Sequence, residues 1–276
     1  MDRIGKTRQA RPAPPRGALQ RVDGESLHYW NAAPAPDLVD RIEHLWCVRW
    51  DLRGLPPQVQ ETLPHPNVHL VVETSSVAAW GVQTGRFTKK LEGHGLAFGV
   101  KFHPGAFRPL LGRPVSSLMD AAMPAEQLFG AAASGLDAVR DASSDAESAR
   151  VVTQFLRAHL PPADARAVEA RRLVRCIVED PGLRSVAQLA ARSGVGARTL
   201  QRLFGDYVGV APKWVINRCR IHEAVVRVQQ GVPVSWADLA HELGFFDQAH
   251  FIADFRRLVG RTPLEYARLY AEGGAA

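Results

Sequence analysis

Apolar and polar positions change their rhythm along this chain. From His28 to about Met119 the apolar residues come in short or alternating runs: Leu45-Trp-Cys-Val-Arg-Trp50, Val68-His-Leu-Val-Val-Glu73, Val77-Ala-Ala-Trp-Gly-Val82 and Leu96-Ala-Phe-Gly-Val-Lys-Phe102. Runs of this length and period predict strands. Turn chemistry separates them at Gly54-Leu-Pro-Pro57, Pro64-His-Pro-Asn67, Gly93-His-Gly95 and His103-Pro-Gly105, as in a small antiparallel sheet or barrel. From about Ser117 to Leu160 the spacing turns helical, with Leu128, Phe129, Leu136, Val139, Val152, Phe155 and Leu156 as the apolar stripe. Pro161-Pro162-Ala163-Asp164 then interrupts the chain. Proline lacks the backbone donor and restrains the residue before it, which marks a domain boundary here.

Beyond that boundary the pattern repeats. Ser185-Val-Ala-Gln-Leu-Ala-Ala-Arg-Ser-Gly194 aligns with Ser235-Trp-Ala-Asp-Leu-Ala-His-Glu-Leu-Gly244 at an offset of fifty. Leu200, Phe204, Gly209 and Pro212 align with Phe251, Phe255, Gly260 and Pro263 at an offset of fifty-one, so the second turn holds one extra residue. In each copy a serine can cap a short helix, with Gln188 or Asp238 at the third helical position. Small Ala190 or Ala240 lets a second helix cross closely, and Gly194 or Gly244 ends the first helix where a left-handed residue costs little. The second helices are expected at about Ala197 to Tyr207 and Asp247 to Leu258, with Leu200, Leu203 and Phe204, or Phe251, Phe255 and Leu258, turned inward. This is a helix-turn-helix, present twice. Pro212 is placed to open a long connecting helix to about Gln230, stopped by Gly231 and Pro233 and buried along Trp214, Ile221, Ala224, Val225 and Val228. At about 1.5 Å per residue such a helix is long enough to set two reading helices on successive major-groove faces.

The polar faces of the second helices are what remains for a partner. Arg198, Gln201 and Arg202 lie at i, i+3 and i+4 and project together. Arginine can pair bidentately with guanine and glutamine with adenine, each such pair discriminating by about 1–3 kcal/mol. The second copy offers Gln248, Ala249 and His250, with Ala253 one turn later; it is poorer in long donors, and its alanines suit contact with a thymine methyl group. Lys213 is expected on a phosphate, and Arg256 joins the DNA-facing set.

The run Thr199-Leu-Gln-Arg-Leu-Phe204, with Gly244-Phe-Phe-Asp-Gln-Ala-His-Phe251, Phe255, Gly260 and Thr262-Pro263, resembles the DNA-binding domain of the AraC/XylS family of transcriptional regulators. The resemblance spans about 165 to 271. It implies base-reading positions at Arg198, Gln201 and Arg202, and at Gln248, Ala249, His250 and Ala253. Many relatives carry arginine where Ala253 stands, so this sequence departs from the family's pattern in its second unit.

Charge agrees with that division. The net charge of +6 breaks into a tail at residues 1–21 with six Lys/Arg against Asp2, an acidic stretch at 22–165 with twelve against sixteen, and a basic stretch at 166–271 with sixteen against ten. A basic helical module beside an acidic β-rich one suggests a polyanion-binding unit attached to something else. Residues 1 to about 25, rich in Pro, Gly and Arg without apolar periodicity, are expected to be a flexible basic tail. No apolar run is long enough to span a membrane, and no signal segment is visible, which points to a cytoplasmic protein. Cys47, Cys176 and Cys219 show neither disulfide nor zinc-ligand spacing.

The expected fold is therefore α+β: a β-rich, barrel-like domain with C-terminal helices at 26–160, and an all-α double helix-turn-helix domain at 165–271. Leu63-Pro-His-Pro-Asn-Val-His-Leu-Val-Val72 and Gly99-Val-Lys-Phe-His-Pro-Gly-Ala-Phe107 are similar to the cupin-like N-terminal domains of a subset of these regulators. On that resemblance an effector would sit against Trp46, Trp50, Trp80, Phe98 and Phe102, whose plainer role is core packing. His65, His69 and His103 raise the alternative of a metal-dependent cupin-like enzyme fused to the DNA-binding unit, but no carboxylate stands at a ligand-like offset. No metal, cofactor or catalytic residue is assigned. The expected partner is double-stranded DNA, with a small-molecule effector, RNA polymerase and a second copy of the chain as further candidates and no membrane. A middle domain that binds other proteins and takes no ligand is the remaining alternative.

Overall fold

The computed structural model describes residue 19 and residues 26–162, 164–230 and 235–273. The expected basic tail lies outside the described residues except for Leu19, which is 1% exposed and donates its N–H to the Glu61 carbonyl at 3.0 Å. Gly231 and Pro233 also lie outside them.

Among the described residues eight strands form the N-terminal part: β1 (Leu27–Ala32), β2 (Ile42–Leu52), β3 (Gln58–Thr62), β4 (His69–Glu73), β5 (Val77–Trp80), β6 (Phe87–Leu91), β7 (Gly93–Phe102) and β8 (Ala122–Pro124). Six of them make one antiparallel sheet in the order β1-β2-β7-β4-β5-β8, and β3 pairs with β6 as a separate antiparallel ribbon. Alternation along the strands sorts the side chains onto two faces. Leu45, Cys47, Leu70, Val72, Leu96, Phe98, Val100 and Phe102 go to a face covered by α1 (Arg108–Leu111), α2 (Glu126–Phe129), a 3-10 segment at Gly130–Val139 and α3 (Asp145–His159). The sequence-predicted stripe Leu136, Val139, Val152, Phe155 and Leu156 is buried there.

The opposite face carries Trp46, Trp50, His69 and Trp80, and the ribbon lies over it. Tyr29 on β1 donates to Gln60 on β3 at 3.1 Å, Lys89 on β6 reaches Glu73 on β4 at 2.9 Å, and Trp80 meets Phe87 edge-on. Gly95 and Gly99 are required on this face. A Cβ at Gly99 would run into the Trp46 indole, and one at Gly95 would meet Trp50.

Among the described residues six helices with Leu19, Leu63 and Val82 share a second core. They are α4 (Ala165–Glu179), α5 (Val186–Ser193), α6 (Ala197–Leu203), α7 (Pro212–Gln229), α8 (Trp236–Glu242) and α9 (Gln248–Val259), closed by α10 (Pro263–Gly273) with Tyr266 fully buried. After α6 the chain makes a π turn, Phe204–Val208, that ends on left-handed Gly209. The single helix expected to Tyr207 is thus altered in its last turn. The cause is local: Gly209 N–H closes back on the Phe204 carbonyl at 2.8 Å. Among the described residues no helix is long and apolar enough to cross a membrane.

Several contacts join the two cores. Arg108 donates to Asp206 at 2.8 Å, and Gly209 faces Val115 so closely that a Cβ there would stand 2.9 Å from its methyl. The Trp214 indole donates to the Thr84 carbonyl at 3.2 Å, and buried Arg218 donates to the Pro64 carbonyl at 2.8 Å with His65 beside it. Glu61, 5% exposed, is held between Arg86 and Arg261. The β-rich part therefore touches the first helix-turn-helix at Asp206 and Gly209 and the second at Arg261.

Candidate DNA-binding surface

The first unit is built as its sequence requires. Ser185 Oγ accepts from Gln188 N at 3.2 Å while Gln188 Oε1 accepts from Ser185 N at 3.1 Å, so two orphan donors of α5 are satisfied reciprocally. Gly194 ends α5 at φ 71°, and Leu189, Leu200, Leu203 and Phe204 are buried between α5 and α6. Burying Leu200 and Leu203 leaves the opposite side of α6 outward. Arg198, Gln201 and Arg202 are all exposed on it, and among the described residues none of their side chains is hydrogen-bonded or ion-paired within the chain. Lys213 stands exposed in the first turn of α7.

The second unit repeats this plan with different chemistry. Ser235 accepts from Asp238 N at 3.4 Å, and the Asp247 carboxylate accepts from His250 N at 2.7 Å to cap α9. Phe251, Phe255 and Leu258 are fully buried. Gln248, Ala249, His250, Ala253 and Arg256 are exposed, so every sequence-predicted position of this unit faces out. His250 leans edge-on against Phe245 and lies 3.5 Å from Asp254, which also binds Arg257 at 3.0 Å.

Two arginines that the repeat did not single out brace this surface from inside. Arg220 donates to the Leu243 carbonyl at 2.6 Å and stacks 3.7 Å over the Phe245 ring, fixing the second turn to α7. Arg218 performs the contact with Pro64 described above. Their position in the buried stripe of an amphipathic helix was the available signal, but arginine there reads as polar face until the partners are known.

The five aromatics expected around an effector are not brought together. Trp46, Trp50 and Trp80 stand on the ribbon-covered face, whereas Phe98 and Phe102 lie fully buried on the helix-covered face, against Trp30 and Phe107 respectively. No single cavity can use both sets. Trp46 donates to His69 Nδ1 at 3.2 Å, and burial, with Lys101 and His44 adding positive charge, pushes His69 down to about 3. Lys101 binds Glu43 at 2.8 Å where β2 bulges at Glu43 against β7. His65, His69 and His103 have separate partners in Arg218, Trp46 and the Val39 carbonyl. Among the described residues no group of three or more His, Cys, Asp or Glu is arranged to hold a metal ion.

Comparison with known proteins follows this division. Residues 189–269 match a family described as a helix-turn-helix domain, and residues 31–124 match a domain of unknown function, DUF6597. The chain is 37% identical over 75 residues to the HTH-type transcriptional activator RhaS of Pectobacterium carotovorum, covering 27% of this chain and 26% of that protein. It is 31% identical over 93 residues to the putative HTH-type transcriptional regulator YkgA of Escherichia coli, 34% of this chain and 38% of that one. A putative AraC-like transcription regulator of Streptomyces lividans is 30% identical over 94 residues, 34% of this chain and 31% of that protein. The matches thus span between about a quarter and two fifths of each relative. A solved structure of ToxT from Vibrio cholerae aligns over 91% of this chain and all of that one at 12% identity, with a TM-score of 0.38. The C-terminal part of this chain is therefore a pair of helix-turn-helix units in a stretch similar to AraC-like regulators, carried behind a β-rich part that matches DUF6597 over residues 31–124.

Proposed function

We propose that this protein is a sequence-specific DNA-binding transcriptional regulator whose β-rich domain modulates how the two helix-turn-helix units engage a duplex. The observation that carries the reading is the pair of outward helix faces on one shared core. Arg198, Gln201 and Arg202 of α6 stand exposed and uncommitted, and α9 turns Gln248, Ala249, His250 and Ala253 outward. Long donors left free on a basic helical domain are suited to base edges, and Lys213 at the start of α7 is suited to a phosphate. Gln248, Ala249, His250, Ala253 and Arg256 complete the proposed footprint.

The domain boundary falls at Pro161–Asp164, between the end of α3 and the start of α4. Modulation is supported by the grip of the β-rich part on both units, through Arg108 and Asp206 on one side and Glu61 and Arg261 on the other. In this reading a small molecule would act from the Trp46, Trp50 and Trp80 face, which the ribbon shares with the junction. The protein acts without a catalytic residue, in the cytoplasm beside the chromosome.

Selection of binding sites by the full chain from a random duplex library tests this. The reading requires one enriched sequence with two recognisable halves. Binding that is independent of sequence across the library would refute it.

A further inference from the structure

The two helix-turn-helix units have the same backbone plan and opposite surface chemistry. At the offset of fifty-one, Arg198, Gln201 and Arg202 of α6 correspond to Ala249, Ile252 and Ala253 of α9. Each long polar side chain of the first reading face is replaced by an apolar one in the second. Ala249 and Ala253 are exposed and Ile252 is half-buried, and together with Arg256 and Arg257 they line a shallow open depression on α9.

The extra residue of the second turn lies just before the N-cap of the same helix. Val195 and Phe245 occupy equivalent inward places after Gly194 and Gly244, and Gly196 and Asp247 are the equivalent N-caps. The inserted residue is therefore Phe246, which is 93% exposed. An apolar residue just before an N-cap commonly staples onto the fourth helical residue. Here Phe245 takes that place, with its ring 5.3 Å from Phe251. Phe246 has no packing duty toward its own domain among the described residues.

The neighbouring carboxylates are committed elsewhere. Asp247 caps the helix, and Asp254 holds Arg257 and adjoins His250. Beside the donors Gln248 and His250, α9 offers a duplex an apolar strip of Ala249, Ile252 and Ala253, with exposed Phe246 just before its N-cap and Arg256 at its edge. In the major groove the apolar group available to such a strip is the C5-methyl of thymine.

We infer that the second unit reads thymine methyl groups through Phe246, Ala249, Ile252 and Ala253, while the first unit reads base edges by hydrogen bonding. This rests on the proposed DNA-binding function and specifies the chemistry of its second half. The basic flank at Arg256 and Arg257 favours a polyanionic duplex as the occupant of this strip over an apolar protein partner.

The test uses the full chain and the duplex it selects. Arg202→Ala identifies the half read by α6, and the other half is assigned to α9. Each thymine in that second half is then replaced singly by uracil, which removes the methyl and keeps the pairing. Binding is followed by fluorescence anisotropy. At least one uracil is expected to weaken binding by about three- to tenfold, the scale of one or two buried methyl groups. Phe246→Ala should weaken the thymine duplex by a similar factor and erase the thymine–uracil difference at one position. Circular dichroism of this exposed-site variant should match the parent. A second half without thymine, tolerance of uracil at every position in it, or parental binding by Phe246→Ala would overturn the inference while leaving sequence-specific binding intact. Selection of no sequence at all would instead remove the regulator reading, and this inference with it.

Discussion

Glu61 is the point at which the β-rich part holds the second helix-turn-helix unit. Its carboxylate lies between Arg86, just before β6, and Arg261 after α9, and its own carbonyl accepts from Leu19. Glu61→Gln keeps the size and removes the charge, leaving two guanidinium groups facing a neutral amide. Removing one member of a fully buried pair costs about 3–5 kcal/mol, and an exposed pair is worth under about 1 kcal/mol. The Glu61 side chain is 5% exposed, but Arg86 and Arg261 are 31% and 26% exposed, so water offsets part of the loss. We expect about 2–3 kcal/mol. Urea denaturation followed by tryptophan fluorescence gives the cost for Glu61→Gln, Arg261→Gln and the double variant. The cycle should return a coupling of about 1–3 kcal/mol, as for side chains in direct contact. Since Glu61 lies away from the reading faces, binding to a single half-site should change little, whereas tolerance to altered spacing between the halves should broaden. Additive single costs, or losses below about 0.5 kcal/mol in both single variants, would refute the clamp.

Lys213→Ala should weaken binding to all sequences alike and lower the slope of log affinity against log salt by about 0.9, measured by titration at several ionic strengths. Ser185→Ala breaks the reciprocal cap of α5 and should cost about 1 kcal/mol in denaturant unfolding. Gly209→Ala should destabilise by more than about 1 kcal/mol, because φ is 96° and the new Cβ would press on Val115; a cost near zero would argue against that packing. His69 is lowered from an ordinary value near 6.5 to about 3, so the folded chain declines a proton that the unfolded chain accepts. Stability from this site is complete above pH 6.5 and falls with acidification toward pH 3, by at most about 2 kcal/mol between pH 6.5 and 5. His69→Gln should flatten that part of the stability profile, and His44, His65 and His103 are shifted in the same direction.

The helical half was legible because its signals are local. A capping serine, a glycine that must take positive φ and a proline at a helix start each act within a few residues, and Ser185, Gly194, Gly244 and Pro212 all occupy the places their chemistry predicts. The outward placing of Arg198, Gln201 and Arg202 follows from the same local geometry, since Leu200 and Leu203 define the inner face. In the β-rich half, the four apolar strands could be read, but β3 and β6, Gln58–Thr62 and Phe87–Leu91, are polar ribbons without a clear apolar alternation. The grouping of Trp46 with Phe98 failed for a related reason. Parity within a strand is visible in a sequence, but which residue of β7 lies opposite Trp46 depends on pairing across about fifty residues. Gly99 is that residue, and Phe98 therefore points the other way. Contacts such as Arg261 to Glu61, two hundred residues apart, leave no local trace.

In the proposed function α6 reads bases through side chains free of any structural duty. The direct measurement compares the parent chain with Arg202→Ala on the selected duplex and on random DNA of the same length at one salt concentration. The loss expected on the selected duplex is about 1–3 kcal/mol, with preference relaxed at one base pair and binding to random DNA nearly unchanged. Equal losses on the two duplexes would contradict it.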